Sequence, residues 1–176
     1  MLCTRADKAA RFKESDVRAM GRTAKGVRGI RLAAQQRVIS LIIPEAEGYL
    51  LTASENGFGK RTPLADFPMR GRGAQGVIAM QTSERNGQLV SAVQVFSGDE
   101  LMLISNTGTL VRTDSDGVSV VGRNTQGVRL INLKEDEVLN SVERIAEQTL
   151  EQAGDEGSAA TDDSQVDSDT SADADD

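Results

Sequence analysis

Three arginines recur at one place in one kind of loop. Arg22, Arg72 and Arg123 each follow a glycine and precede a second glycine, in the segments GRTAKG, GRGAQG and GRNTQG. Paired glycines open the left-handed region of backbone space and let another backbone come close. The arginine between them offers a planar fork that matches phosphate oxygens. In the first of these stretches Lys25, Arg28 and Arg31 add to the charge. A second column, Arg11, Arg61 and Arg112, runs ahead of the three loops at constant spacing. These nine cations are the candidate nucleic-acid-binding residues. Two roles are open to the repeated arginines, which could reach phosphates outside the molecule or bond loop carbonyls inside their own blade.

The loops are 50 and then 51 residues apart, and the register extends to either side of them. LLTASENGFGKRT at 50–62 lies over LMLISNTGTLVRT at 101–113, and LCTRADKAARF at 2–12 follows the frame more loosely. Leu50–Ser54 and Leu101–Ser105 are short apolar runs ending at Asn56-Gly57 and Thr107-Gly108, which predict hairpins whose second strand carries the Arg-Thr pair. After each loop, Ile30/Leu32, Met80/Thr82 and Ile131/Leu133 alternate with Arg31, Gln81 and Asn132, as in a strand. A last run, Val38–Ile43, Leu89–Phe96 or Val138–Ile145, closes each unit. The expected fold is all-β: three propeller-like blades of about four strands each, over 1–47, 48–97 and 98–146. Small sheets of this kind bury their faces by stacking on their neighbours. The first unit lacks its opening residues, and three blades do not close a ring, so the chain reads as the end of a longer protein. That reading leaves Leu2–Thr4 as an unpaired edge. Arg144–Gln152 could continue as a short helical turn. Residues 147–176 hold 11 acids and no base, with almost nothing apolar, and are expected to be a disordered acidic tail.

Composition excludes much else. Without histidine there is no His general base, no Ser-His-Asp system and no His-containing zinc site. The single cysteine, Cys3, rules out an internal disulfide and suits a reducing compartment. At 3% aromatic residues and no Trp, a stacking platform for single strands lacks its material. The longest apolar run is far short of the roughly 20 residues of a membrane helix. The basic N-terminal stretch has no apolar core of the signal-peptide kind. The expectation is a soluble, cytoplasmic body with no membrane partner. Gly71–Gly76 matches a dinucleotide fingerprint, but a strand-like VIAM follows where a helix should begin. Tyr49 opens an apolar strand with no arginine beside it, Asp114–Gly117 is a polar turn and not a calcium loop, and Cys3 is a packed thiol.

The overall charge of −7 conceals a body, 1–146, with 20 bases against 16 acids. The first unit has 10 bases and 5 acids, the second 5 and 3, the third 5 and 8, so any grip on a polyanion should weaken along the chain. The G-R loops on a 50-residue period, the hairpin turn and Arg-Thr strand before each, and the acidic tail together resemble the C-terminal domain of the DNA gyrase A protein. The resemblance covers about 1–146. It implies the last three blades of a six-bladed β-pinwheel that wraps duplex DNA, in a holoenzyme of two A and two B subunits that introduces negative supercoils. It also implies that ATP and Mg are used by the holoenzyme, with no cofactor and no catalytic residue in this stretch. The family's signature box, Q-R-R-G-G-K-G, is absent; Gly21–Gly26, Gly71–Gly76 and Gly122–Gly127 are at most degenerate counterparts. Two alternatives stand beside it: the corresponding domain of topoisomerase IV, and a propeller-like protein-interaction module.

Overall fold

The computed structural model describes residues 1–146. Within them the chain forms eleven strands and two short 3-10 turns: β1 Leu2–Thr4, β2 Lys8–Ala10, β3 Val38–Leu41, β4 Tyr49–Ser54, β5 Phe58–Pro63, β6 Val77–Ile78, β7 Leu89–Val95, β8 Glu100–Ser105, β9 Leu110–Asp114, β10 Val128–Arg129 and β11 Leu139–Ile145. They make three antiparallel sheets, ordered β3-β1-β2-β6, β10-β5-β4-β7 and β11-β8-β9. Each sheet is built on one hairpin, and the closing run of the same unit pairs with the hairpin's first strand. Gly57 and Gly108 sit in the two tight turns at φ +76° and +87°, which a side chain rarely adopts.

The repeat in sequence and the sheet in space are offset. The periodicity predicts that each unit supplies all of its own strands, but β6 of the second unit completes the first sheet, and β10 of the third completes the second. The registers correspond, with Ala9 opposite Val77 and Gly59 opposite Val128. The second glycine of each loop makes this possible. A Cβ on Gly76 would come within 2.6 Å of the Ala9 carbonyl oxygen, and one on Gly127 within 2.5 Å of that of Gly59. Both glycines have positive φ. Backbone lies on backbone there, so the loop can deliver a strand to the preceding hairpin. The donated strands are only two residues long, and the alternation expected beyond them is partial. Ile30, Met80 and Ile131 are buried, whereas Leu32 stays exposed.

Because β4 is sandwiched between neighbouring sheets, its apolar run is continuous. Leu50 packs toward the first sheet with Cys3, Ala9, Phe67 and Ala79, and Leu51 toward the third with Leu101, Leu103, Leu139 and Val142. Leu2–Thr4, expected to be an open edge, is paired on both sides, by β2 and β3. Arg144 and Ile145, where the sequence predicts the start of a helical turn, belong to β11, because they continue its register against Leu101 and Glu100. The rest of that turn and the acidic tail lie outside the described residues. Cys3 is fully buried, and desolvation pushes its thiol up to about 12, so it is a packing group.

Candidate nucleic-acid interface

The first two G-R stretches lie side by side. The Arg31 N–H donates to the Ala74 carbonyl at 2.9 Å and the Gly73 N–H to that of Gly29 at 2.6 Å. Arg72 ties them further, its Nε donating to the Asp16 carbonyl at 2.8 Å and its Nη1 to that of Arg28 at 3.3 Å. This pairing gathers Arg18, Arg22, Lys25, Arg28, Arg31, Arg70 and Arg72, all exposed, on neighbouring segments. None of the seven is in an ion pair among the described residues, whereas Arg5, Lys8, Arg61, Arg112 and Arg144 each have a carboxylate. The exposed acids Glu14 and Asp16 lie on the same stretch and temper its charge.

The two columns of arginines separate. Arg72 and Arg123 do bond carbonyls, but those of the preceding unit and not of their own blade: Arg123 Nη1 donates to Ile78 at 3.1 Å from a half-buried position. Arg22 makes no side-chain bond among the described residues. The second column turns the opposite way. Arg11 donates to the Leu64 carbonyl at 2.9 Å, and Arg61 is engaged through its whole fork by Val118 O, Asp116 Oδ1 and Asp116 O at 2.9, 2.6 and 3.1 Å. At 6% exposure, Arg61 is a clamp between units and does not belong to the basic surface. Arg112, with no following unit among the described residues, folds back on Glu100 of its own hairpin.

Asp114–Gly117 is thus the receptor for Arg61. The Asp116 carboxyl is held below its usual range by the Gly98 N–H and then by the Arg61 guanidinium. The same guanidinium lies 5.0 Å from the centre of the Tyr49 ring, so an arginine does stand beside the only tyrosine, brought there by the β4–β5 pairing. Among the described residues no group of three or more metal-ligating side chains occurs. The dinucleotide-like Gly71–Gly76 leads into β6, not a helix.

A family model for the DNA gyrase C-terminal domain, a beta-propeller, matches residues 1–45, 48–95 and 99–146. The chain belongs to the DNA gyrase C-terminal domain family. Among its relatives, the DNA gyrase A protein of Pseudomonas aeruginosa is 63% identical over 147 residues, which is 84% of this chain and 16% of that protein. The Escherichia coli counterpart is 49% identical over 168 residues, 94% of this chain and 19% of the relative. The chain therefore spans less than a fifth of the length of these relatives. A solved DNA gyrase A C-terminal domain superposes with a TM-score of 0.77 at 29% identity, over 82% of this chain and 50% of that one. The C-terminal domain of DNA topoisomerase IV superposes at 0.79, over 90% of this chain and 51% of that one, but at 21% identity it speaks for the fold alone.

Two features of this gyrase-type domain escape a reading of its loops. Lys60, on β5, is fully buried and donates to the Gly122 carbonyl at 2.7 Å, to Thr125 Oγ1 at 3.1 Å and to the Arg123 carbonyl. It fastens the third loop from inside with no ion-pair partner among the described residues. The matching position in the first unit is Ala10, so the repeat gives no hint of it. Burial, and then the charge of Arg123, lower the Lys60 amine to about 8 from 10.5. The other missed residue is Arg129, exposed on β10, which stands in the column of Arg28.

The shifts of Lys60 and Cys3 give a signed pH dependence. Between about pH 8 and 10.5 the unfolded chain holds a proton on Lys60 that the native state has released, so stability rises with pH. Above about pH 9 the unfolded chain loses the Cys3 proton that the native state keeps, and stability falls. Urea midpoints should climb from pH 8 to 9 and then flatten. Lys60→Met should reduce the climb and Cys3→Ala should remove the flattening; unchanged profiles in both would contradict these assignments.

Proposed function

We propose that this chain binds duplex DNA by phosphate contacts and shape, and contributes the DNA-wrapping surface of a gyrase A protein. What carries the reading is the basic surface made where the first two G-R stretches pair, with seven exposed cations that are in no ion pair among the described residues. No recognition helix accompanies it among the described residues, and the few aromatics are too sparse for base stacking, so sequence would go unread. Wrapping would support ATP-dependent negative supercoiling by the holoenzyme, in which ATP and Mg would be bound elsewhere and this chain would hold no cofactor. Its partners would be duplex DNA and the other gyrase subunits, in the cytoplasm. No helix among the described residues is long and apolar enough to cross a membrane.

A salt titration by fluorescence anisotropy tests the reading. Each phosphate neutralised should add roughly −0.9 to the slope of log K against log salt, and duplexes of unrelated sequence should bind alike. A slope near zero would favour a protein-interaction module. In the same titration, deleting the acidic residues 147–176 should tighten binding. The gap should widen at low salt, because a polyanionic segment competes electrostatically and its reach shrinks with the Debye length, about 8 Å at physiological ionic strength. Equal affinities across the salt series would leave those residues only a solubilising role.

A further inference from the structure

The third unit carries more acids than bases, yet two exposed arginines meet at its junction with the second. Arg85, in the turn before β7, and Arg129, on β10, both lie over the ring of Phe58, with guanidinium carbons 4.9 and 5.1 Å from its centre. Phe58 is 3% exposed, while both arginines are exposed. Neither is in an ion pair among the described residues. Arg129 has a single side-chain bond there, from Nη1 to Asn132 Oδ1 at 3.3 Å, and Arg85 has none. The nearby carboxylate of Glu55 is engaged by Arg5 and by the Gln88 N–H, leaving exposed Glu84 as Arg85's sequence neighbour. The turn carrying Arg85 is held by Asn56 Nδ2, which donates to the carbonyls of Glu84 and Arg85 at 3.1 Å each.

Two like charges have thus been brought within about 10 Å of each other on one ring. Covering Phe58 does not require charge, since any long apolar side chain would do it without the repulsion. The arrangement suits an anion. Stacking restrains the guanidinium forks, so less rotamer freedom is lost when they bond to an anion, and a duplex places a charge every roughly 1.7 Å of axis, several within this span. Arg129 also occupies in the third unit the place that Arg28 has on the basic surface of the first.

We propose that Arg85 and Arg129, braced on Phe58, form a phosphate clamp that carries the bound duplex past the junction of the second and third units. This inference rests on the DNA-binding reading above and assigns it a place where unit charge predicts the grip to fade. The test is the salt titration on the whole 176-residue chain, comparing Arg85→Gln/Arg129→Gln with Arg85→Lys/Arg129→Lys. The glutamine pair should flatten the slope by nearly 2 and weaken binding about 50-fold near 0.1 M salt, whereas the lysine pair should keep the slope. A steep slope in the unaltered chain that the glutamine pair leaves unchanged overturns the clamp while the DNA-binding reading stands. A flat slope in the unaltered chain overturns both. If the glutamine pair fails to melt cooperatively, Arg85→Gln alone, which leaves Arg129 on the ring, should cost about 0.9 of slope; no loss there overturns the clamp equally.

Discussion

Replacing Arg22, Lys25, Arg28 and Arg31 together by glutamine is expected to weaken duplex binding by about three orders of magnitude or more near 0.1 M salt and to flatten the salt slope by about 3.6. The four side chains are exposed and make no hydrogen bond or ion pair among the described residues, so melting should be nearly unchanged. Surface changes of this kind are usually within about 0.5 kcal/mol. The effect is large because each lost cation gives back the counterions that it would have displaced, and the four losses multiply in the binding constant. Lys134→Gln, an exposed cation amid the acids of the third unit, should do far less. If the fourfold variant and Lys134→Gln bound alike, the duplex would not run over the first unit.

The sequence carried the period and the columns because they are spacings, and spacing survives without coordinates. It could not say which sheet Val77 and Val128 join. A strand pattern is the same whether the partner hairpin lies in its own unit or the one before, and only the approach of Gly76 to Ala9 and of Gly127 to Gly59 decides. The arginine columns were legible as columns, but their roles were not. Arg22 and Arg61 are equally regular in sequence, and one is exposed while the other is spent on Asp116 and Val118, a difference set by packing between units. Lys60 was invisible for the converse reason. It breaks the repeat, facing Ala10 in the alignment, and a lysine in a strand gives no sign that its amine will be buried among carbonyls. Arg129 needed only the column of Arg28, and the signal was present in the shared G-V-R.

The two glycines of the third loop should respond oppositely to the same substitution. Gly122→Ala adds a methyl group where nothing lies within 4 Å, at a φ outside the left-handed region, so stability should change little or rise slightly. Gly127→Ala places the same group 2.5 Å from the Gly59 carbonyl oxygen, at φ +76°, and neither backbone can yield without parting β10 from β5. Strain at such a site and overpacking each cost about 1 to 3 kcal/mol. At roughly 2 to 4 °C per kcal/mol for a chain of this size, the melting temperature should fall by about 5 to 15 °C. Lys60 raises the cost further. If the loop lifts, its ammonium loses the carbonyls of Gly122 and Arg123 while remaining buried, and an unpaired buried charge is strongly destabilising. Gly127→Ala should therefore cost less in a Lys60→Met background than in the native one, by a coupling that a double-mutant cycle measures. Additive costs would mean that the loop stays fastened and the strain is absorbed elsewhere, and equal melting of Gly122→Ala and Gly127→Ala would remove the close approach of the two backbones as the reason why the following unit supplies the fourth strand.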